Sequence, residues 1–341
     1  MKRITLIIII TLSYLNAFSQ HEKITDDWKT FSLDVKNLGT INYHIYRNKI
    51  NSKKPLIVYL EGSGNFPLYW LNPNGRYSTS TTINFKELSN DFHIILISKP
   101  NTPFADSIRI APSGRKYYPE NKEFRQKYSL DWRADSANSV INHILSQNNL
   151  EVDKTKIIVW GHSEGSQVAP AVAVRNESVT HVVSMMSNSL NQFYDFIINQ
   201  RLLAVKGELT NEKAQKNIDS LYTEYEKIFD DPKAVDKEWF GETYYKWSSF
   251  ALNPPLENML KLDIPILYIA GGADDNQNII NMDYAKLEFL RKGKTNLTYK
   301  VYPNYDHYFM ETKTDSSGKK EWIDHLYEVN DFVLNWIDKN D

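Results

Sequence analysis

The sequence contains no cysteine, which excludes both a disulfide framework and a lipid anchor attached to a cysteine. A chain of 341 residues, 41% of them hydrophobic, can bury a sizeable core without such bridges. The sequence also has no excess of basic residues, because its net charge is -2. We therefore expect neither a nucleic acid nor an anionic membrane to be its main partner.

A long uninterrupted apolar run is also missing. Residues 4–18 are largely apolar and follow Lys2 and Arg3, but Thr11, Ser13 and Asn16 break the run. A membrane-spanning helix needs about 20 apolar residues. An uncleaved anchor is therefore the weaker alternative. The pattern predicts a signal peptide over residues 1–19, cleaved near Ser19 and Gln20. We expect a secreted or periplasmic protein with no stable membrane span after cleavage.

Glycine is scarce, with only 13 in the chain. Six of them form three clusters that each follow an apolar run: Gly62 and Gly64, Gly161 and Gly165, and Gly271 and Gly272. Glycine permits backbone conformations and close contacts that other residues do not. Because open α/β sheets place their sites at strand ends, these clusters mark candidate positions for a functional site.

Short apolar runs recur along the chain and predict buried parallel strands. They cover residues 55–60, 93–98, 156–160, 181–186 and 264–270, with a more mixed run at 297–302. Two alternating segments, 31–36 and 41–48, predict an antiparallel pair at the start. Helical patterns lie between the runs. Together they predict an α/β fold with a doubly wound, mostly parallel sheet of about eight strands.

Residues 190–260 interrupt this alternation, because they contain helical patterns and no convincing strand. We interpret them as a helical insertion between two strands, so that the core comprises residues 20–189 and 261–341. Near the end of the chain, Trp322 and Trp336 belong to one stripe of apolar residues at helical spacing. This stripe predicts a final helix that includes both tryptophans.

The stretch "IIVWGHSEGS" places Ser163 between two glycines, directly after a predicted strand. A helical pattern follows, in which Pro170 would have to occupy an early turn. A strand, sharp turn and helix in this order expose a serine hydroxyl above the sheet, beside the positive end of the helix. Ser163 is therefore the candidate nucleophile. The alternative is a serine in an ordinary tight turn.

A serine nucleophile needs a base, and the base needs a carboxylate that orients it. Of the eight histidines, His307 follows the last predicted strand in a turn-rich loop, which leaves it free to reach the serine. The alternative is an exposed loop histidine. Asp274 and Asp275 follow the predicted strand 264–270. Either carboxylate fits the order Ser, Asp, His.

An oxyanion hole is also required. The glycines of "YLEGSGN" let backbone N–H groups turn toward the site, so the N–H of Ser63 is one candidate donor, and the N–H of Glu164 is the other. The side chains of Glu61 and Glu164 add two carboxylates beside the site. Glu61 either makes a structural hydrogen bond within its loop or binds a cationic or hydroxyl-rich group of a substrate.

Taken together, "LEGSG", "GHSEGS", "GGADD" and "YDH" resemble the motifs of the α/β-hydrolase superfamily, over about residues 53–341. The resemblance implies that Ser163 is the nucleophile, His307 the base and Asp274 the acid, with Asp275 as the fallback. It also implies that residues 190–260 form a lid. Where many members have His-Gly in the oxyanion loop, this chain has Glu61 and Gly62. The resemblance implies acyl transfer without a metal or organic cofactor.

The leading hypothesis is a serine hydrolase that cleaves small carboxylic esters through an acyl-enzyme. The alternative within enzymes is a peptidase or aminopeptidase acting on short peptides or amides, since the superfamily contains both kinds. The pair Glu61 and Glu164 is the one hint of a site for a free amino terminus. A third hypothesis is a non-catalytic binding protein on the same scaffold. The sequence does not indicate an oligomeric state.

Overall fold

The computed structural model describes residues 24, 26–147 and 150–340. The predicted signal peptide, residues 1–19, lies outside the described residues. The centre of the molecule is an eight-stranded sheet. Its strands are β1 (Trp28–Val35), β2 (Gly39–Tyr46), β3 (Lys54–Leu60), β4 (His93–Ile97), β5 (Val152–His162), β6 (His181–Met185), β7 (Ile266–Gly271) and β8 (Leu297–Tyr302).

In space the strands follow the order β1-β2-β4-β3-β5-β6-β7-β8. β1 and β2 are antiparallel, and β2 is antiparallel to β4, whereas all the pairs from β4 to β8 are parallel. This confirms the mostly parallel sheet with an antiparallel start. Because parallel strands end at one edge, the loops after β3, β5, β7 and β8 meet there.

Helices cover both faces of the sheet and form most of the insertion between β6 and β7. They are α1 (Phe85–Leu88), α2 (Lys122–Lys127), α3 (Leu130–Ser146), α4 (Glu164–Arg175), α5 (Gln192–Val205), α6 (Asn211–Asp230), α7 (Tyr244–Ala251), α8 (Pro255–Met259), α9 (Ile279–Arg291) and α10 (Leu326–Lys339). Apolar side chains of α3, α4 and α9 share one core cluster with the sheet, and those of α1 and α10 share the other. The sheet is therefore doubly wound, as predicted.

Short strands outside the central sheet lie in the loops. Tyr69–Leu71 pairs with Tyr77–Thr79 and with Ala105–Ser107. Three short hairpins pair Arg109–Ile110 with Lys116–Tyr117, Glu238–Trp239 with Glu242–Thr243, and Met310–Thr314 with Lys320–Asp324.

The helical insertion between β6 and β7 has two parts with different packing. Its first part has an aromatic cluster of its own, in which Phe193 stacks on Tyr225 with the ring centroids 4.0 Å apart. The second part does not stand apart from the core. Phe250, Leu256 and Met259 belong to the core cluster on one face of the sheet. The end of the insertion is therefore anchored in the body of the protein.

Pro170 lies in the interior of α4, not in the early turn that the sequence predicts. A proline at this position cannot donate a hydrogen bond to the carbonyl oxygen of Ser166, four residues earlier. The hydroxyl of Ser184 on β6 donates to that oxygen instead, at 3.0 Å. This substitute bond satisfies the buried carbonyl and lets the helix continue to Arg175.

The final helix begins at Leu326, so the prediction that it includes Trp322 is wrong. Trp322 lies in a hairpin strand and is exposed. The sequence "DSSG" explains the difference. The carboxylate of Asp315 accepts from the N–H groups of Ser317 and Lys319, and Gly318 has a positive φ of 84°. This turn closes a hairpin where the apolar spacing predicted a helix.

Candidate active site

Ser163 lies between the end of β5 and the start of α4, in a strained backbone conformation. Its φ is 55° and its ψ is -126°, a combination that non-glycine residues rarely adopt. Its N–H donates to the carbonyl oxygen of Met185, at 2.9 Å, and the residue remains partly exposed. Ser163 is therefore held on a sharp turn above the sheet, in the geometry of a nucleophile elbow.

The two glycines of the elbow are required by close backbone contacts. A Cβ atom on Gly165 would lie 1.9 Å from the carbonyl oxygen of Leu60, at the end of β3. A Cβ atom on Gly161 would lie 2.2 Å from the carbonyl oxygen of Gly165. Any side chain at either position would push α4 away from β3 and β5. The glycines of the G-x-S-x-G motif are therefore required because the helix packs so closely on the sheet.

His307 and Asp274 are brought together from the loops after β8 and β7. The Nδ1 atom of His307 lies 2.8 Å from Oδ2 of Asp274. The other carboxylate oxygen accepts from the N–H groups of Asn276 and Gln277, at 2.8 Å and 2.9 Å. His307 is buried, unlike an exposed loop histidine, and Asp275 is exposed. An imidazole whose Nδ1–H donates to a carboxylate keeps its Nε2 lone pair free to accept a proton.

His162, the residue before Ser163, forms a hydrogen bond that links the elbow to the loop after β8, which carries His307. Its Nε2 atom lies 2.8 Å from the carbonyl oxygen of His307, which can only accept, and the two rings are 5.0 Å apart. Burial, together with the neighbouring His307, lowers the pKa of His162 to about 3. The ring is therefore neutral and donates through Nε2–H. The sequence gave no signal of this contact between His162 and His307.

The loop after β3 lies directly against the elbow. A Cβ atom built on Gly62 would lie 3.2 Å from Cβ of Ser163 and 3.5 Å from its Oγ. Ser63 follows in this loop and is exposed. Glu164 is the first residue of α4, so its N–H has no acceptor within the helix. The two segments expected to carry the oxyanion donors are thus adjacent to Ser163.

The side chains of Glu61 and Glu164 point into a buried network of charges. They are 6% and 2% exposed, respectively. Glu61 lies 3.4 Å from Lys99 and 3.6 Å from Arg133, whereas Glu164 lies 3.1 Å from Arg133 and 3.0 Å from Lys246. Glu61 is thus paired with cations from other elements and not with a group of its own loop, and burial leaves neither carboxylate a free face toward a substrate.

The electrostatics of Glu164 follow from these contacts. Burial alone would raise its pKa, but Lys246, Arg133 and Lys99 together outweigh burial and hold the pKa at about 2. The hydroxyl of Tyr128 also donates to Oε1. Glu164 is therefore ionised at neutral pH and serves as the shared anion of the network.

Sequence reasoning missed all three cations of this network. Lys99 follows β4, Arg133 lies on α3 and Lys246 lies on α7 in the insertion. They are far apart in the chain and form no motif. A lysine or arginine in the sequence is normally solvent-exposed, so nothing in the residue type predicts burial.

A cavity of about 410 Å³ lies between α5 and the loop that carries Asp274. Asp195 lines it, and burial raises the pKa of this carboxyl to about 7. Phe196 and Trp247 contribute apolar surface. Within the residues that the structure describes, no group of acidic, histidine or cysteine side chains could hold a metal ion. Across the same residues, none of the helices is long and apolar enough to span a membrane.

Comparison with solved structures identifies the fold. Dipeptidyl peptidase 4 from Porphyromonas gingivalis superposes with a TM-score of 0.56 at 13% identity, covering 92% of this chain and 35% of that one. Est1E from Butyrivibrio proteoclasticus, with ferulic acid bound, superposes with a TM-score of 0.52 at 14% identity. The superposition covers 88% of this chain and 95% of Est1E. The chain has the α/β-hydrolase fold.

A third similar structure is a puromycin-hydrolyzing peptidase from Mycobacterium tuberculosis, with a TM-score of 0.52 at 13% identity. The superposition covers 37% of that peptidase and 83% of this chain. The chain thus spans only about a third of the length of the two peptidases. No model of a known protein family matches the chain, and no curated protein matches it in sequence.

We expect Glu164→Gln to destabilise the protein by about 3–5 kcal/mol, because it leaves buried cations without their shared anion. Because the folded-state pKa of Glu164 is about 2, below the ordinary value of 4.5, this contribution is complete above pH 4.5 and is lost as the pH falls toward 2. Urea unfolding at several pH values measures it. The control is Glu123→Gln, in a half-exposed pair with Lys127, which should cost less than about 1 kcal/mol. Equal stability of Glu164→Gln and the wild type would contradict this account.

Proposed function

We propose that the protein is a serine hydrolase that cleaves small carboxylic esters. The observation that carries the proposal is the bond of 2.8 Å between His307 and Asp274, in a loop that His162, the residue before the strained Ser163, also contacts at 2.8 Å. A histidine that is oriented by a carboxylate, and whose backbone is bonded to the residue before such a serine, is suited to general-base catalysis. The esterase and peptidase folds among the similar structures support hydrolysis in general.

In the proposed reaction, Oγ of Ser163 attacks the acyl carbon while its proton passes to Nε2 of His307. The carbonyl oxygen becomes an oxyanion, which accepts from the N–H groups of Ser63 and Glu164. The bond to the leaving alkoxide then breaks, and His307 returns the proton to it. Water attacks the acyl-enzyme in the same way and regenerates Ser163 and the free acid. Asp274 orients the imidazole and stabilises its protonated form.

The first test is covalent labelling by a fluorophosphonate probe, which reacts with activated serines. We expect the wild type to be labelled and Ser163→Ala to remain unlabelled. His307→Ala should stay folded and lose roughly 10⁴-fold or more in kcat. The matched control is His143→Ala, near the C-terminal end of α3, which should keep normal turnover. Labelling of Ser163→Ala as fast as the wild type would assign the reactive group elsewhere.

The choice between ester and amide substrates requires a separate measurement. We expect carboxylic esters to exceed amides of the same acyl group by at least roughly tenfold in kcat/KM. The panel pairs each ester with its amide and includes aminoacyl amides with a free or an acetylated amino group. Higher activity on amides that carry a free amino group would instead favour an aminopeptidase. Glu61 and Glu164, the two carboxylates beside the site that would bind such a group, are buried and paired.

We also propose that residues 1–19 are removed during export and that the mature enzyme is secreted or periplasmic. The proposal rests on the charged start and the interrupted apolar run of the sequence. N-terminal sequencing of the protein from a fractionated host should begin at Gln20, in the periplasm or the medium. Recovery of the chain with Met1 intact in the membrane fraction would contradict cleavage.

A further inference from the structure

Lys99 is a buried lysine whose ammonium group bonds to the loop after β3. It is 5% exposed and lies just after β4. Its Nζ donates to the carbonyl oxygens of Gly62 and Gly64, at 2.6 Å and 2.7 Å, and lies 3.4 Å from Oε1 of Glu61. An ammonium has three N–H groups. All of them therefore face the loop that follows β3.

Buried cations hold the carbonyl groups of this loop. Arg133 donates to the carbonyl oxygen of Glu61 at 2.7 Å, so the carbonyls of residues 61, 62 and 64 all bond to buried cations. The described peptide bonds are trans, and a trans peptide directs its N–H opposite to its C=O. The bond from Lys99 to Gly62 therefore turns the N–H of Ser63 away from the ammonium.

This loop would not hold such an orientation unaided. Gly64 has a φ of 90°, and glycine populates many backbone conformations at similar energy. Ser63 between the two glycines is exposed, so packing does not restrain it. Two short charge-assisted bonds to neighbouring carbonyls supply the missing restraint.

We propose that Lys99 is a positioning residue for the oxyanion hole: by fixing the carbonyls of Gly62 and Gly64, it presents the N–H of Ser63 to the oxyanion formed at Ser163. The role rests on the proposed hydrolase function. Lys99 does not touch the substrate. It lowers the reorganisation that the loop would otherwise undergo when negative charge develops on the carbonyl oxygen.

The competing explanation is that Lys99 merely stabilises the fold, and Lys54 provides a matched control. Lys54 is equally buried, and its Nζ also donates to two carbonyl oxygens, those of Asn48 and Ser89, at 2.8 Å and 2.7 Å. It lies at the start of β3, whereas the site lies beyond the end of that strand. The two lysines thus share burial and bonding but differ in position.

The test compares Lys99→Met with Lys54→Met by ester turnover, by the rate of fluorophosphonate labelling, and by the affinity for a boronic acid, which forms a tetrahedral adduct. For Lys99→Met we expect about 10²-fold lower kcat with little change in KM, as for the loss of an oxyanion donor. Labelling and boronate affinity should fall in parallel. For Lys54→Met we expect lower stability in urea but normal kcat.

Loss of Lys99 also leaves the carboxylate of Glu61 with less compensation, and that alone could prevent folding. The double variant Glu61→Gln with Lys99→Met removes both charges, and circular dichroism and urea unfolding establish that it folds. It still lacks the ammonium, so we expect the same fall in kcat and in labelling rate.

Two outcomes overturn the proposal in distinguishable ways. If the wild type reacts with the fluorophosphonate but a folded variant lacking Lys99 keeps the kcat and labelling rate of Lys54→Met, the positioning role is wrong and the hydrolase function stands. If the wild type neither reacts with the probe nor hydrolyses any ester or amide of the panel, the proposed function fails, and the role of Lys99 fails with it.

Discussion

The close approach of α4 to the end of β3 is the constraint on which the site depends. With no side chain on Gly165, the first turn of the helix rests on the carbonyl oxygen of Leu60. That contact places the strained Ser163 at the helix N-terminus and brings the loop after β3 within van der Waals distance of its side chain. Even a methyl group at Gly165 would separate the serine from this loop.

Much of the fold could be predicted from the sequence, because buried parallel strands are short apolar runs and their ends are marked by the scarce glycines. The same reasoning places Asp274 and His307 at one edge of the sheet, where the structure shows them in contact. Predictions failed where a hydrogen-bond partner, either distant or in a local turn, decided the structure against the pattern of apolar residues. Pro170 fits mid-helix because Ser184 satisfies Ser166 from another strand, a pairing no local pattern contains.

The buried charges set the limit of prediction at the site. From sequence alone, Glu61 and Glu164 are two carboxylates beside a nucleophile, and a structural role and a substrate-binding role are both open for Glu61. Their true partners come from three separate elements and include Lys99 and Lys246, so neither burial nor pairing can be read from the neighbouring residues. Burying so many charges is costly unless each one is paired. We therefore attribute the network to the orientation of the segments that it binds, rather than to a gain in the stability of the fold.

Arg133 shows what the network orients. One nitrogen of its guanidinium bonds to Oε1 of Glu164, and another bonds to the carbonyl oxygen of Glu61. Each glutamate is fixed on its inner side, and the N–H groups expected to meet the oxyanion, those of Ser63 and Glu164, belong to these same two segments. A single planar guanidinium therefore links the two segments. The acidic side chains that flank the site are therefore part of the buried charge network that links these two segments, because they pair with the same cations that bond to the loop after β3.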